Sequence, residues 1–291
     1  MKVLLLGAGG MLGSEIARAA PPWARLTAVD RRRLDVRDAE AVAAMIDRCA
    51  PTVVINATGY TGVDAAESES RGAFDVNATA VAALAGHCAA RGIHVVHFGT
   101  DYVFAGDRRT PYGEDDPPAP VGAYARSKLA GETALRESGA PHLVIRTQWL
   151  FGLHGQSFPR TMWERARSGQ PTRVVNDQVG RPTYAVDLAA VIWRLIHRGA
   201  EGTVHAANDG AATWYDVARR VFEAVDAGHL LTPCRTADYP TAAVRPAYSV
   251  LETSRVEAML SERMPHWHDG LDRFLRELCS EAGVDTALAG R

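Results

Sequence analysis

The sequence predicts an α/β fold in which a doubly wound parallel sheet is followed by a smaller C-terminal lobe. Two observations lead to this prediction. Short, continuously apolar runs alternate with stretches of helical length through the first half of the chain, as expected for parallel strands that helices cover on both faces. A glycine-rich turn joins the first apolar run to the first helical stretch, where a βαβ unit makes its first connection.

Six apolar runs are predicted strands, and seven longer stretches are predicted helices. The strands cover residues 3–6, 26–29, 52–55, 93–98, 143–146 and 202–206, and the helices cover 11–20, 38–49, 72–91, 122–138, 186–198, 213–226 and 266–279. After about residue 150 the alternation weakens, and prolines interrupt the region 233–246. We therefore predict a first domain over 1–150, a lobe over 151–280 with some segments returning to the sheet core, and a flexible tail over 281–291.

Composition and charge exclude several classes of protein. The chain has 291 residues, of which 47% are hydrophobic and 23% charged, and its formal net charge is −2. These values are ordinary for a globular protein and give no basic surface for nucleic acid. The four cysteines show no CxxC spacing, so neither a disulfide framework nor a zinc site is predicted. The apolar run before Gly7 has four residues, too few for a signal sequence or a membrane span. We expect a cytoplasmic protein without nucleic-acid or membrane partners.

The glycine-rich turn has glycines at positions 7, 10 and 13. Gly7, Gly10 and Gly13 would allow a tight turn, close approach of the backbone to a pyrophosphate, and close packing of the helix on the sheet. The helix N-terminus would offer free N–H groups and the positive end of its dipole to the phosphates. Leu12 stands where a strict GxGxxG would have its last glycine, so the spacing is GxxGxxG, which another branch of dinucleotide-binding proteins uses. The turn predicts a Rossmann domain that binds a dinucleotide.

The residues after the second strand give conflicting indications about the cofactor. Asp30 ends that strand, where a carboxylate would hydrogen-bond the adenosine ribose of NAD. Arg31 opens a run of three arginines, and guanidinium groups favour the 2′-phosphate of NADP. Asp35 and Val36 follow and are candidates to flank the adenine. NADH and NADPH therefore both stay candidates.

A tyrosine, a lysine and a threonine indicate the chemistry. Tyr124 and Lys128 are four residues apart in a predicted helix, so they lie on one face, one turn apart. Lys128 is expected to hold the nicotinamide ribose and to lower the pKa of Tyr124, which would donate a proton to an oxygen that gains charge as hydride arrives. Thr100 ends the fourth strand, at the edge where such sheets bind ligands, and its hydroxyl can polarise a carbonyl. Together they predict reduction of a carbonyl by a nicotinamide cofactor.

These elements together resemble the dTDP-4-dehydrorhamnose reductase family of extended short-chain dehydrogenase/reductases. The matching segments extend from Met1 to about Leu278. They cover residues 7–13, 56–61, 63–67, 100–104, 124–132, 146–152, 177–183, 245–246 and 249–251. The resemblance implies NAD(P)H-dependent reduction of the 4-keto group of a dTDP-4-keto-6-deoxyhexose in deoxysugar biosynthesis.

The resemblance also implies roles for individual residues. The catalytic set would be Thr100, Tyr124 and Lys128. The residues lining the cofactor would be Gly10, Met11, Leu12, Asp35, Val36, Ala57, Thr58 and Gly59. The residues touching the sugar nucleotide would be Thr100, Asp101, Tyr124 and Trp149.

The chain departs from the family pattern at two positions, and the family raises the question of a metal. Gln148 stands where the family commonly has a small residue, and Tyr248 where it has an asparagine, so the sugar that is reduced stays open. The resemblance implies Mg²⁺ at a contact between two subunits, and hence a homodimer. The sequence itself shows no carboxylate cluster that requires a metal.

Three related activities share parts of this pattern. A sugar-nucleotide 4,6-dehydratase needs an acid and a base from an Asp-Glu pair after the threonine, but Tyr102 follows Asp101 here, so elimination is disfavoured. A 4-epimerase keeps its cofactor and stays an alternative, although segment 100–104 is similar to that of reductases. A non-catalytic regulatory subunit that binds NADP and a partner enzyme could tolerate loss of Tyr124 or Lys128, and this chain has both.

Overall fold

Strands and helices alternate through the first half of the computed structural model, which describes residues 1–283. The strands are β1 (Lys2–Leu6), β2 (Arg25–Val29), β3 (Val53–Asn56), β4 (His94–Thr100), β5 (His142–Thr147), β6 (Leu150–Phe151), β7 (Thr172–Val175), β8 (Val179–Gly180), β9 (Thr183–Tyr184), β10 (Gly202–His205), β11 (Ala212–Thr213) and β12 (Leu231–Cys234). The helices are α1 (Met11–Arg18), α2 (Ala39–Cys49), α3 (Ala65–Ser68), α4 (Ser70–Phe74), α5 (Ala80–Ala89), α6 (Ala123–Glu137), α7 (Phe158–Arg167), α8 (Ala185–His197), α9 (Trp214–Glu223), α10 (Ser254–Leu260) and α11 (Trp267–Glu281).

Six strands form a parallel sheet in the order β10-β5-β4-β3-β1-β2. Successive strand residues point to opposite faces, and both faces are apolar. Val3 and Leu5 pack in a core with residues of α1 and α8, whereas Leu4 and Leu6 pack with residues of α2 and α5. The predicted doubly wound α/β fold is confirmed.

Two segments from the second half of the chain lie in the core of this sheet. Strand β10 pairs with β5 and forms one edge. Helix α8 packs on α1, where the Trp193 indole donates a hydrogen bond to the Ile16 carbonyl oxygen over 2.9 Å. These two elements therefore belong to the sheet layer.

A second apolar core lies outside the sheet. It is built from residues of α7, α9 and α11, and includes the buried Met162, Phe222 and Phe274. Helices α7 and α10 were not predicted from the sequence. Helix α11 continues to Glu281, the first residue of the predicted tail, and residues 284–291 of that tail lie outside the described residues.

The predicted helix over 72–91 is interrupted. A π-helical turn, Asp75–Thr79, separates α4 from α5. Such turns are local adjustments of a helix and are frequent near functional sites. Here the turn brings the Asn77 carbonyl oxygen against Gly131 of helix α6, where an added Cβ would lie 1.9 Å from that oxygen. The interruption therefore lets these two helices approach closely.

Candidate active site

The turn between β1 and α1 places its glycines against neighbouring backbone. Gly7 has φ +84°, and a Cβ there would lie 2.7 Å from the Ala57 carbonyl oxygen. A Cβ on Gly13 would lie 2.1 Å from the Gly7 carbonyl oxygen, so α1 can approach the turn only with glycine there. A Cβ on Gly10 would meet nothing closer than 3.4 Å. Gly10 therefore leaves open space before the helix, of the kind that a pyrophosphate needs.

Met11 and Leu12 form the first turn of α1, after Gly10 as the N-cap. No side chain caps this helix, so its first N–H groups are free to bind an anion. The Leu12 side chain is 8% exposed and packs in the sheet core. Its part in a cofactor site is therefore limited to the backbone. The Met11 side chain reaches towards Gly152, where an added Cβ would lie 3.2 Å from Met11 Cγ.

The residues predicted to face the adenosine form a turn after β2. Asp30 Oδ1 accepts hydrogen bonds from the backbone N–H groups of Arg32 and Arg33, each over 3.1 Å. One oxygen of this carboxylate is thus engaged in the turn, while Arg31 is exposed beside it.

Asp35 and Val36 lie a few residues further along the same segment. The Asp35 carboxylate is bound by the Arg37 guanidinium, and this hydrogen bond lowers the pKa of Asp35 to about 2. Val36 packs against the sheet core. The turn after β2 therefore presents both the Asp30 carboxylate, which favours NADH, and the Arg31 guanidinium, which favours NADPH.

The loop 57–59 after β3 is held by a buried amide. Asn56 Oδ1 accepts hydrogen bonds from Thr58 N over 3.2 Å and from Thr58 Oγ1 over 2.5 Å. Asn56 Nδ2 lies 3.3 Å from His97 Nδ1 on β4. Ala57 meets Gly7, and Gly59 lies beside Asn77. The loop is therefore joined to both the glycine turn and the adjacent strand, as a cofactor-lining segment requires.

The end of β4 and the start of α6 bring together the three predicted catalytic side chains. Tyr124 and Lys128 occupy the first two turns of α6. Thr100 is the last residue of β4, and its hydroxyl is close enough to Tyr124 to lower the pKa of that residue. The Lys128 ammonium donates a hydrogen bond to the Phe98 carbonyl oxygen over 2.5 Å. Thr100 and Lys128 are each 5% exposed, so water is largely excluded from both.

Burial determines the direction of the pKa shifts at this site. It raises the pKa of Tyr124 to about 12 and lowers the pKa of Lys128 to about 8, because the charged forms lose hydration. The Lys128 ammonium is held by its hydrogen bond to the Phe98 carbonyl oxygen, and its effect on the pKa of Tyr124 stays a prediction. Burial also raises the pKa of Asp101 to about 7, although hydrogen bonds with Ser249 and Thr100 lower it. At neutral pH, Tyr124 therefore carries a proton to donate.

A buried ion pair fixes α6 against the sheet. The Arg146 guanidinium on β5 binds the Glu132 carboxylate on α6 over 2.8 Å, and both side chains are at most 1% exposed. The pair lies over Gly99, where an added Cβ would be 2.2 Å from Glu132 Oε1. Asn77 adds a second connection by donating a hydrogen bond to Ser127 Oγ over 3.0 Å. These contacts fix the position of α6, which carries Tyr124 and Lys128, relative to β4.

Trp149 lies just beyond β5, at the same sheet edge as Thr100. Thr147, two residues earlier, is the register partner of Thr100. Trp149 has φ +46°, and its indole stacks on Trp214 with ring centroids 3.6 Å apart. A Cβ on Gly180 would lie 2.5 Å from the same indole. The structure therefore makes Trp149 a rigid aromatic surface, and its contact with a sugar stays a prediction.

Several residues that shape the site had no assigned role in our sequence reasoning. Ser249, which lies close enough to Asp101 to lower the pKa of that carboxyl, comes from a distant segment whose neighbour Tyr248 forms a β-bridge with Val179. No local pattern marks that proximity. Asn56 and Glu132 carry a usable signal, since each is a polar residue at a buried position of a predicted strand or helix.

Within residues 1–283, no group of three or more histidine, cysteine, aspartate or glutamate side chains is placed to hold a metal ion. The described residues thus offer no such cluster within one chain for the Mg²⁺ that the resemblance implies, and no step below uses a metal. In the same part of the chain, no helix is both long and apolar enough to cross a membrane.

Comparisons with known proteins cover nearly the whole chain. Residues 1–280 match the family model described as RmlD substrate binding domain. The chain is 38% identical over 299 residues to a dTDP-4-dehydrorhamnose reductase of Shigella flexneri, covering 98% of this chain and 100% of the relative. It is 42% identical over 275 residues to the probable dTDP-4,6-dihydroxy-2-methyloxan-3-one 4-ketoreductase of Streptomyces antibioticus, covering 93% of each.

Solved structures give the same result. The crystal structure of a dTDP-4-dehydrorhamnose reductase from Bacillus anthracis in complex with NADP matches with a TM-score of 0.91 and 33% sequence identity, over 95% of this chain and 99% of that one. The parallel sheet, the glycine turn and the grouped threonine, tyrosine and lysine define the short-chain dehydrogenase/reductase class. Within this class, the chain belongs to the dTDP-4-dehydrorhamnose reductase family, as its sequence pattern predicted.

Proposed function

We propose that this chain is an NAD(P)H-dependent ketoreductase that reduces the 4-keto group of a dTDP-4-keto-6-deoxyhexose in deoxysugar biosynthesis. The observation that carries the proposal is the grouping of Thr100, Tyr124 and Lys128 at the carboxyl end of β4. Ligands of open parallel sheets bind at this edge. The names of the Shigella flexneri and Streptomyces antibioticus relatives support a keto-sugar nucleotide as the substrate.

In this proposal Tyr124 is the general acid. Its hydroxyl is protonated at neutral pH because burial raises its pKa to about 12. The reduced nicotinamide, when bound, supplies the hydride that reaches the keto carbon. Tyr124 gives its proton to the oxygen that becomes negatively charged, so the product is a neutral alcohol. Thr100 donates a hydrogen bond to the same oxygen and stabilises the charge as it develops.

Lys128 has two proposed tasks. It lies one helical turn from Tyr124, so its ammonium favours the tyrosinate that remains after proton transfer. Burial lowers the pKa of Lys128 to about 8, so most of the population is still charged at pH 7. Its hydrogen bond to Phe98 fixes the side chain, and its remaining N–H groups are available to the nicotinamide ribose.

The glycine turn fits the cofactor that this chemistry needs. The open space at Gly10 and the uncapped N–H groups of Met11 and Leu12 would hold the pyrophosphate. Asp30 keeps one carboxylate oxygen for a ribose hydroxyl, which favours NADH. Arg31 is exposed for a 2′-phosphate, which favours NADPH. Both are therefore candidates, and the NADP complex of the Bacillus anthracis relative supports the second.

The substrate side of the site would be formed by Asp101, Trp149 and the second core. Trp149 and Trp214 stack on each other, and this aromatic pair would contact the sugar nucleotide. Asp101 lies beside Thr100, with one buried carboxylate oxygen that has no hydrogen-bond partner within residues 1–283. A sugar hydroxyl would supply that partner.

The test is a cofactor-oxidation assay with the purified full-length chain and a dTDP-4-keto-6-deoxyhexose. Loss of reduced-nicotinamide absorbance is followed with NADH and NADPH separately, and the product is identified by NMR. The proposal predicts stoichiometric oxidation and a 4-hydroxy product. Binding of cofactor without oxidation would instead support a regulatory subunit, and conversion of a 4-hydroxy sugar without net oxidation would support an epimerase.

A further inference from the structure

Gln148 is a buried glutamine whose amide has no partner. It follows directly after β5 and is 2% exposed. Neither Oε1 nor Nε2 has a hydrogen-bond partner within residues 1–283.

A buried primary amide without partners is costly, and native proteins contain few such groups. A glutamine that only filled space could be replaced by a leucine of similar volume without that cost. No side chain within residues 1–283 hydrogen-bonds the Gln148 amide. Gln178 differs in this respect, because its Nε2 donates a hydrogen bond to Thr236 Oγ1 over 3.0 Å. A hydrogen-bond partner from outside the chain would remove that cost.

The position of Gln148 indicates what that partner is. Thr147 is the register partner of Thr100 on the adjacent strand. Its Oγ1 is likewise buried without a partner, as is Asp101 Oδ2. Four unpartnered buried polar atoms, on Asp101, Thr147 and Gln148, thus lie at the ends of β4 and β5, the edge where substrate and nicotinamide would meet.

We propose that Gln148 is a ligand-binding residue of this active site, whose amide both donates to and accepts from a neutral polar group. A neutral amide is suited to a group that carries both a donor and an acceptor. The two sources in such a site are a sugar hydroxyl next to the reacting carbonyl and the carboxamide of the nicotinamide. The inference rests on the proposed function only for the identity of these two ligands.

The first arm of the test compares the ligand-free stability of Gln148→Leu with that of Gln178→Leu. Gln178 is also buried, but its amide is bonded within the protein. We expect Gln178→Leu to lower Tm by about 2–4 °C, since it removes a net favourable hydrogen bond. Gln148→Leu should leave Tm unchanged or raise it. A fall for Gln148→Leu as large as that for Gln178→Leu would show a structural role and overturn the proposal.

The second arm locates the ligand. For the wild type and Gln148→Leu, kcat/KM is measured with a dTDP-4-keto-6-deoxyhexose and with its 2-deoxy and 3-deoxy counterparts, and Kd for NADPH and NADH is measured by fluorescence. A sugar contact predicts a loss of about 10- to 100-fold with the parent sugar and little loss with the counterpart that lacks the bound hydroxyl. A nicotinamide contact predicts a similar loss for every sugar, together with a weaker Kd. Equal kcat/KM and equal Kd in both proteins would refute the proposal.

The two arms keep this proposal separate from the proposed function. If the wild type reduced none of these sugars, the proposed function would fail, but the Tm comparison and the cofactor Kd would still test Gln148. If the wild type reduced the parent sugar and Gln148→Leu matched it in every measurement, only the present proposal would fail.

Discussion

Asp101→Asn should remove a pH dependence of stability that one buried carboxyl creates. Asp101 is 2% exposed, and burial raises its pKa from 3.8 to about 7. Between these two values the unfolded chain releases the proton while the folded chain retains it. Folding stability therefore falls as the pH rises from about 4 to about 7, and is constant above that range.

The change in the free energy of unfolding follows from the one proton that the folded and unfolded chains bind differently, which contributes about 1.36 kcal/mol per pH unit. From pH 5 to pH 8, the folded carboxyl retains its proton over about two units, so the wild type should lose about 3 kcal/mol relative to Asp101→Asn. The asparagine keeps the shape of the side chain and cannot ionise. The buried His97 and His205, whose pKa values burial lowers, act in the opposite direction, but they do so equally in both proteins.

The assay is urea unfolding of both proteins at pH 5, 6, 7 and 8, with the free energy of unfolding extrapolated to water. The quantity to plot is the wild-type value minus the variant value, which cancels all other titrating groups. That difference should decrease over the range and level off near pH 8. A flat difference would refute the reasoning, because it would mean that Asp101 has the same pKa in the folded and unfolded chain.

The remaining predictions concern the scaffold of the site. Gly13→Ala should lower stability by about 1–3 kcal/mol and weaken cofactor binding, since its Cβ would lie 2.1 Å from a backbone oxygen. The control is Gly86→Ala, where a Cβ meets nothing within 4 Å. Equal effects of the two substitutions would contradict the account. Glu132→Gln should cost about 3–5 kcal/mol in urea unfolding, because it leaves the Arg146 charge buried and unpaired. A cost below about 1 kcal/mol would mean that the pair does not hold α6.

Much of the fold follows from sequence because each strand and helix has its own local pattern. The continuous apolar run Val3–Leu6 can only be a buried strand beside the glycine turn. Helix α6 was predicted over residues 122–138 and spans Ala123–Glu137. The position of β10 is different, since the pairing of residues 202–205 with β5 depends on contacts between distant segments. The π-helical turn at Asp75–Thr79 was not predicted either, because no local pattern marks the close approach of Asn77 to Gly131 in another helix.

The candidate site likewise contains residues that a local sequence pattern identifies and residues that only the fold brings together. Tyr124 and Lys128 are recognisable by their spacing on one helix, and Gly7 to Gly13 by their place after a strand. Ser249 could not be found, because it reaches Asp101 only through the fold. The direction of the Lys128 side chain could not be found either, since its bond to the Phe98 carbonyl depends on how closely α6 approaches β4.

The central claim is that the Tyr124 hydroxyl delivers the proton during carbonyl reduction. Its most direct test is kcat of Tyr124→Phe at saturating substrate, with Kd for the cofactor measured on the same samples. Tyr184→Phe is the matched control, since that hydroxyl bonds Glu277 in the second core. We predict that kcat of Tyr124→Phe falls by about 100-fold or more while its cofactor Kd stays near the wild-type value, and that Tyr184→Phe keeps its kcat. An unchanged kcat in Tyr124→Phe would contradict the assignment of the general acid.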